Sequence, residues 1–210
     1  MVPNEPIYGV LTGDVVNSTS IPAFKAERLL KELAGELTPY VVSFYRGDSF
    51  QVFIEDPKKS LRTALICRTL AISMMESDAV RSDVRIGIGI GKVQLPVKMP
   101  DIARGEAFIL SGRGLDKIEG TEQRLSIGSG HVIADIGFEV IANYIDSIFN
   151  KMTSKQAIVI LDLLKGQHQQ DAALKLKRAK STISQLVSAG RWPEVEKLLK
   201  QFEMLINQLL

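Results

Sequence analysis

One cysteine, two histidines and one tryptophan stand among 210 residues. A lone Cys67 forms no internal disulfide, and the reducing cytoplasm is the compartment such a chain suits. With so few Cys and His residues a zinc site of the Cys/His kind is not expected, and any metal would fall to carboxylates. No run of about 18 uncharged apolar residues occurs, so no membrane span is expected. The opening Met-Val-Pro-Asn-Glu-Pro is neither basic nor apolar, so no secretory signal is expected there. What is present is ordinary for a globular chain, 45% apolar and 24% charged, which excludes a disordered protein.

Net charge is +2, from 26 Lys+Arg against 24 Asp+Glu, but the balance is uneven. From Lys151 onward there are ten basic and five acidic residues, net +5, which leaves 26 − 10 = 16 basic and 24 − 5 = 19 acidic residues before it, net −3. The sign change suggests two modules, the basic one suited to a polyanion. The expected division is 1–130 for an α+β domain, 131–150 for a connecting helix and 151–210 for a helical domain.

Hydrophobic periodicity supplies the elements. Strands are expected over 7–13, 41–45, 49–54, 83–93 and 125–127, with helices over 22–37, 57–75 and 105–118. The first helix carries Phe24, Leu29, Leu30, Leu33 and Leu37 near a 3.6 period, with Ser20 as its N-cap. Arg46-Gly47-Asp48 joins the second and third strands as a hairpin. Gly87, Gly89 and Gly91 alternate with Ile86, Ile88 and Ile90, leaving one strand face bare for another backbone to approach. The order contains β-α-β-β-α-β, the ferredoxin-like arrangement, and predicts an antiparallel sheet with helices on one face. Five helices follow, over 132–149, 154–164, 169–176, 180–189 and 193–210. The last has an apolar stripe from Val195 to Leu209 that must pack on its own bundle or a second chain.

Two carboxylates stand out in the first module. Asp14 ends the first strand in Leu-Thr-Gly-Asp-Val-Val-Asn-Ser-Thr, and Asp48 sits in the hairpin turn of Tyr-Arg-Gly-Asp-Ser-Phe-Gln. Neighbouring strands would bring them to one edge, where paired carboxylates favour Mg2+ with a bound phosphate. Gly-Asp turns and Asp-Asn-Ser-Thr caps form without any metal, and Arg46 beside Asp48 offers a local ion pair.

Asp14-Val-Val-Asn-Ser-Thr, Arg46-Gly47-Asp48-Ser-Phe, Arg85-Ile-Gly-Ile-Gly-Ile-Gly and Gly105-Glu-Ala-Phe-Ile-Leu-Ser-Gly-Arg113 occur in that order. Together they resemble the class III nucleotidyl cyclase catalytic domain over about the first 120 residues. With the helical tail, the chain also resembles the SatD family of bacterial proteins, a likeness that brings no biochemical activity with it. The cyclase resemblance implies that Asp14 and Asp48 are metal ligands and that Arg113 stabilises a transition state. It also places Ile109 where an asparagine orients the ribose, and Phe44 near a purine-selecting lysine. With two substrate-reading positions apolar, cyclisation of ATP is not expected. The Gly-x-Gly-x-Gly of 87–91 lies inside a strand and is no dinucleotide fingerprint.

The tail carries a helix-turn-helix pattern. Ala172 and Ala173 precede Leu176, Ile183 and Leu186, placing small residues where two short helices meet. Lys177, Arg178, Lys180 and Arg191 surround the turn, and Ser181, Thr182, Ser184 and Gln185 offer donors and acceptors for phosphates and base edges. The stretch resembles the helix-turn-helix of bacterial regulators and sigma factors, with Lys177 where glycine is usual. The expected function is a homodimeric, DNA-binding regulator with a cyclase-like sensory or dimerisation head. No cofactor is required, Mg2+ with a nucleotide is an optional ligand, and double-stranded DNA is the partner. The alternative is a metal-dependent nucleotide-binding or phosphoryl-transfer enzyme using Asp14, Asp48 and Arg113.

Overall fold

The computed structural model describes residues 5–18, 22–45, 47–74 and 82–210; Ser20 and Arg46 lie outside them. The five strands are β1 (Tyr8–Val16), β2 (Val41–Tyr45), β3 (Ser49–Ile54), β4 (Asp83–Gly91) and β5 (Leu125–Gly128). They form one sheet in the order β2-β3-β1-β4-β5. The first four strands are antiparallel neighbours in ferredoxin-like order, and β5 adds in parallel beside β4. The fold class is α+β.

The helices of this part are α1 (Ala23–Leu37), α2 (Ser60–Ser73) and α3 (Glu106–Ile118). On one face, Leu11, Val15, Val52, Ile54, Val84, Ile86, Ile88 and Ile90 meet Leu29, Leu33 and Leu37 of α1 and Leu61, Leu65 and Ile72 of α2. The expectation of helices on one face fails for α3. Alternate residues of a strand face opposite ways, so the glycines of β4 all lie on the side away from that core. There α3 lies so close that a Cβ on Gly87 would stand 2.1 Å from the Ser111 carbonyl oxygen, and one on Gly89 2.0 Å from that of Ala107. The bare glycine face is real, and a helix backbone occupies it.

Two smaller expectations also change. Phe24 is 68% exposed rather than part of the α1 stripe, since helix α1 has barely begun there; Leu29, Leu33 and Leu37 are buried in the core and Leu30 packs against it. Asp14 does not end β1 but sits inside it, paired with Ser49 and Arg85, because the ladder continues through Val16 to Asp83.

The remaining helices are α4 (Val132–Phe149), α5 (Ser154–Leu164), α6 (Gln169–Leu176), α7 (Lys180–Ala189) and α8 (Trp192–Asn207). The apolar core runs without a break from β1 to Ile206 of α8. Helix α5 packs on α2, and α4 on β5. The stripe of α8 closes on its own bundle, with Phe202 against Phe138 of α4 at 5.4 Å between rings.

A buried ion cluster joins these parts. Arg68 of α2 is fully buried and donates to both oxygens of Asp83 at 3.1 and 2.9 Å and to Asp146 of α4 at 2.6 Å. Asp146 also accepts from the backbone N–H of Arg124 and Leu125, fixing the start of β5. Burial opposes the charge on Arg68, but Asp83 and then Asp146 more than offset it, holding the guanidinium above its ordinary pKa.

Candidate functional site

The pairing of β1 with β3 and β4 places Asp14 between Ser49 and Arg85 on the α3 side of the sheet. Arg85 Nε donates to Asp14 Oδ1 at 3.0 Å and a terminal guanidinium nitrogen to Oδ2 at 2.7 Å, a two-pronged ion pair. The hydrogen bond from Arg85 to Asp14, against some burial, raises the arginine above its usual pKa. Asp48 lies one residue beyond Ser49 in the turn, so the two expected carboxylates do share one end of the hairpin. Its carboxylate accepts from Ser18 Oγ at 2.6 Å and Ser49 Oγ at 3.4 Å, and its carbonyl from Val15 N–H at 3.1 Å.

This donor set fits a divalent cation poorly. Both oxygens of Asp14 already accept from Arg85, which balances the charge a cation would otherwise balance. Among the described residues no three His, Cys, Asp or Glu converge as metal ligands. Arg113 stands elsewhere, exposed in a cleft of about 440 Å3 between α3 and α4 whose far wall carries Asp135 and Glu139. Ile109 is 55% exposed, and Phe44 meets Phe50 in a tilted contact at 5.9 Å between ring centroids.

The same sheet face carries a hydrogen-bonded row that the sequence reading missed. Gln51 Nε2 donates to Thr12 Oγ1 at 3.0 Å, Thr12 and Ser111 hydroxyls lie 2.8 Å apart, and Ser111 donates to the Phe108 carbonyl at 3.0 Å. Further out, Ser43 donates to Asp101 at 3.0 Å. The available signal was the period of two, which puts Thr12 with Asp14, and Gln51 with Ser49, on one face.

In the tail, α5, α6 and α7 pack pairwise into a three-helix unit. Thr153 and Gln156 form a capping box at the start of α5, and His168 and Asp171 one at the start of α6. Ala172 and Ala173 are buried where α6 meets its neighbours, as are Ile183 and Val187 of α7. Helix α6 ends on Lys177 at φ 50° and ψ 46°, the left-handed conformation that glycine adopts most easily. The turn is therefore of the glycine type with lysine in it.

Lys177, Arg178, Lys180, Ser181, Thr182, Ser184 and Gln185 are all exposed. No side chain caps α7, and its first turn holds no acid. An open cleft of about 580 Å3 separates His168, Gln169, Gln170 and Asp171 at the start of α6 from Lys180 and Ser184. Arg191 stands apart from this surface. It donates to Glu194 at 3.1 Å and to the Tyr144 hydroxyl at 2.6 Å, and its guanidinium stacks 5.2 Å over the Tyr144 ring. The Glu194 bond chiefly raises Arg191 above its ordinary pKa and lowers that of Glu194. Lys175 is likewise engaged, with the buried Asp162 at 2.6 Å.

No protein-family model matches the chain, and no curated protein sequence matches it. Among solved structures it is similar to a bacterial light-regulated adenylyl cyclase, at 12% identity and a TM-score of 0.42, over 58% of this chain and 75% of that one. A second structure of a bacterial light-regulated adenylyl cyclase gives 11% identity and 0.40, over 58% and 42%. The adenylyl cyclase CyaB from P. aeruginosa gives 16% identity and 0.36, over 58% and 76%. At such identities and scores these likenesses carry no activity to this chain.

Proposed function

We propose that this protein binds double-stranded DNA through α6, the Lys177–Ala179 turn and α7, as a helix-turn-helix regulator. One observation carries the reading: three cations and four hydroxyl or amide side chains stand exposed within the nine residues from Lys177 to Gln185, a stretch backed by a packed three-helix unit. That combination suits phosphates and base edges together. The uncapped, acid-free start of α7 adds a favourable backbone dipole for a phosphate. Two half-sites call for two copies of α7, so the regulator acts as a homodimer.

The head is then a sensory or dimerisation module rather than a cyclising enzyme. Asp14 is neutralised by Arg85, and the two substrate-reading positions implied by the cyclase resemblance are apolar.

The test is duplex affinity across a salt series, with the full chain and a mixed-sequence duplex pool. The logarithm of affinity should fall linearly with the logarithm of salt. Replacing Lys177, Arg178 and Lys180 by Ala should flatten that slope by roughly 3 per protomer, about one per lost phosphate contact. Gln185→Ala should alter the selected sequence while leaving the slope alone. Affinity that ignores salt would defeat the reading. Stabilisation by Mg2+ and a nucleotide that Asp48→Asn abolishes would favour the enzyme instead.

A further inference from the structure

The outward side of α4 is apolar where a solvated helix would be charged. Val132, Ile133, Ile136 and Val140 are 76%, 85%, 61% and 64% exposed, and their spacing puts them on one side of the helix. Residues 132 to 149 hold no Lys or Arg, and of their three acids only Glu139 is exposed; Asp146 serves Arg68, and Asp135 accepts from Ser129. Beside this ridge runs a groove of about 460 Å3 between α4 and α8, with Gly137 along one wall and Met204 and Leu205 along the other. The outer side of α8 repeats Lys197, Gln201, Met204 and Gln208 at helical spacing, all exposed. A contiguous aliphatic strip of this kind marks an interaction surface.

We infer that a second copy of this chain covers this face, the α4 ridge of each copy seated in the α4–α8 groove of the other about a two-fold axis. Shape argues for it first. A closed dimer uses the same patch twice, and a ridge beside a groove is complementary to its own rotated image. Charge argues the same way, since the exposed Glu139 of α4 and the exposed Lys197 of α8, one turn before the groove-lining Gln201, are of opposite sign. A ridge without Lys or Arg suits an apolar partner rather than a nucleic-acid backbone. Size agrees too. An 18-residue helix rises about 27 Å, and a face two helices wide spans about 18 Å. That plane of roughly 500 Å2 is of the order of the ~800 Å2 accessible share each partner brings to a stable interface. The face shares no residue with the Lys177–Gln185 surface, so both are usable at once.

This inference rests on the regulator reading only for its purpose, namely to present two α7 helices to two half-sites. The experiment is sedimentation equilibrium of the full chain without DNA, at micromolar concentration, beside thermal melts. The parent should sediment at twice 23.2 kDa. Ile136→Glu and Val140→Glu, both at exposed positions, should still melt cooperatively, below the parent by no more than the lost stabilisation from the partner, yet weaken the dimer on the order of a hundredfold, because the introduced charges meet each other or an apolar groove. Ile102→Glu, at an exposed apolar site on another face, should leave the dimer intact. A parent that stays monomeric overturns the inference. So does a dimer that survives both α4 substitutions or is broken by Ile102→Glu. A dimer that binds no duplex leaves this interface standing and defeats the regulator reading instead; a monomer that binds duplex does the reverse.

Discussion

Replacing Arg68 by Met should cost more stability than any surface change. The guanidinium is wholly buried and makes two bonds to Asp83 and one to Asp146. Methionine fills much of the same space but leaves both carboxylates buried, at 1% and 5% exposure, without their cation. Among the described residues Asp83 then keeps the Val84 N–H at 2.7 Å, and Asp146 the N–H groups of Arg124 and Leu125. Removing one partner of a buried pair costs about 3–5 kcal/mol. Set against a total stability of about 5–15 kcal/mol, that is a third or more in a marginal case. Urea unfolding followed by far-UV dichroism, and by Trp192 as the single tryptophan, reads the change. The core is continuous, so both probes should move together. Adding Asp83→Asn and Asp146→Asn to Arg68→Met should recover roughly half of the loss or more, since neutral amides carry a smaller desolvation cost. A loss below about 1 kcal/mol for Arg68→Met would refute the reasoning, and so would a triple variant less stable than the single one.

Three further outcomes follow from the packing and the turn. Gly89→Ala should destabilise by roughly 1–3 kcal/mol through the clash with the Ala107 carbonyl, whereas Gly35→Ala, inside α1 with open space around it, should stabilise by about 0.4–1 kcal/mol; paired urea titrations check both signs. Lys177→Gly relieves a left-handed residue that costs an L side chain about 1–2 kcal/mol, so it should raise the melting temperature while weakening duplex binding in an anisotropy titration. Burial, and secondarily the charge of Glu36, push the Cys67 thiol up to about 12, so it should resist thiol reagents until the chain unfolds. Because the unfolded thiol ionises near 9 and the folded one near 12, the folded state binds the extra proton in that window. Stability should therefore fall more steeply between those pH values in the parent than in Cys67→Ala, and equal slopes would contradict the burial.

Asp14 and Asp48 show where reading the chain by itself stops. Their types and their place beside a hairpin are local facts, and the hairpin does bring them to one end of the sheet. The cation that meets Asp14 is Arg85, 71 positions away, and the sequence offered Arg85 only as the first residue of the Arg85-Ile-Gly-Ile-Gly-Ile-Gly run, with no partner. The Gln51–Thr12–Ser111 row escaped for the same reason, since its members are scattered over 99 positions and none is unusual alone.

Periodicity, the alternate glycines of β4 and the charge asymmetry of the tail are properties of neighbouring residues, and they determined the order of elements, the bare strand face and the exposed basic turn. Such signals operate within one or two turns or a few strand residues. The side of the sheet taken by α3, the neutralising partner of Asp14 and the Arg68 cluster were decided only by tertiary structure. Each depends on groups brought together across the core, Arg68 reaching Asp146 over 78 positions, and which distant charge arrives is set by the packing of whole elements rather than by any local preference.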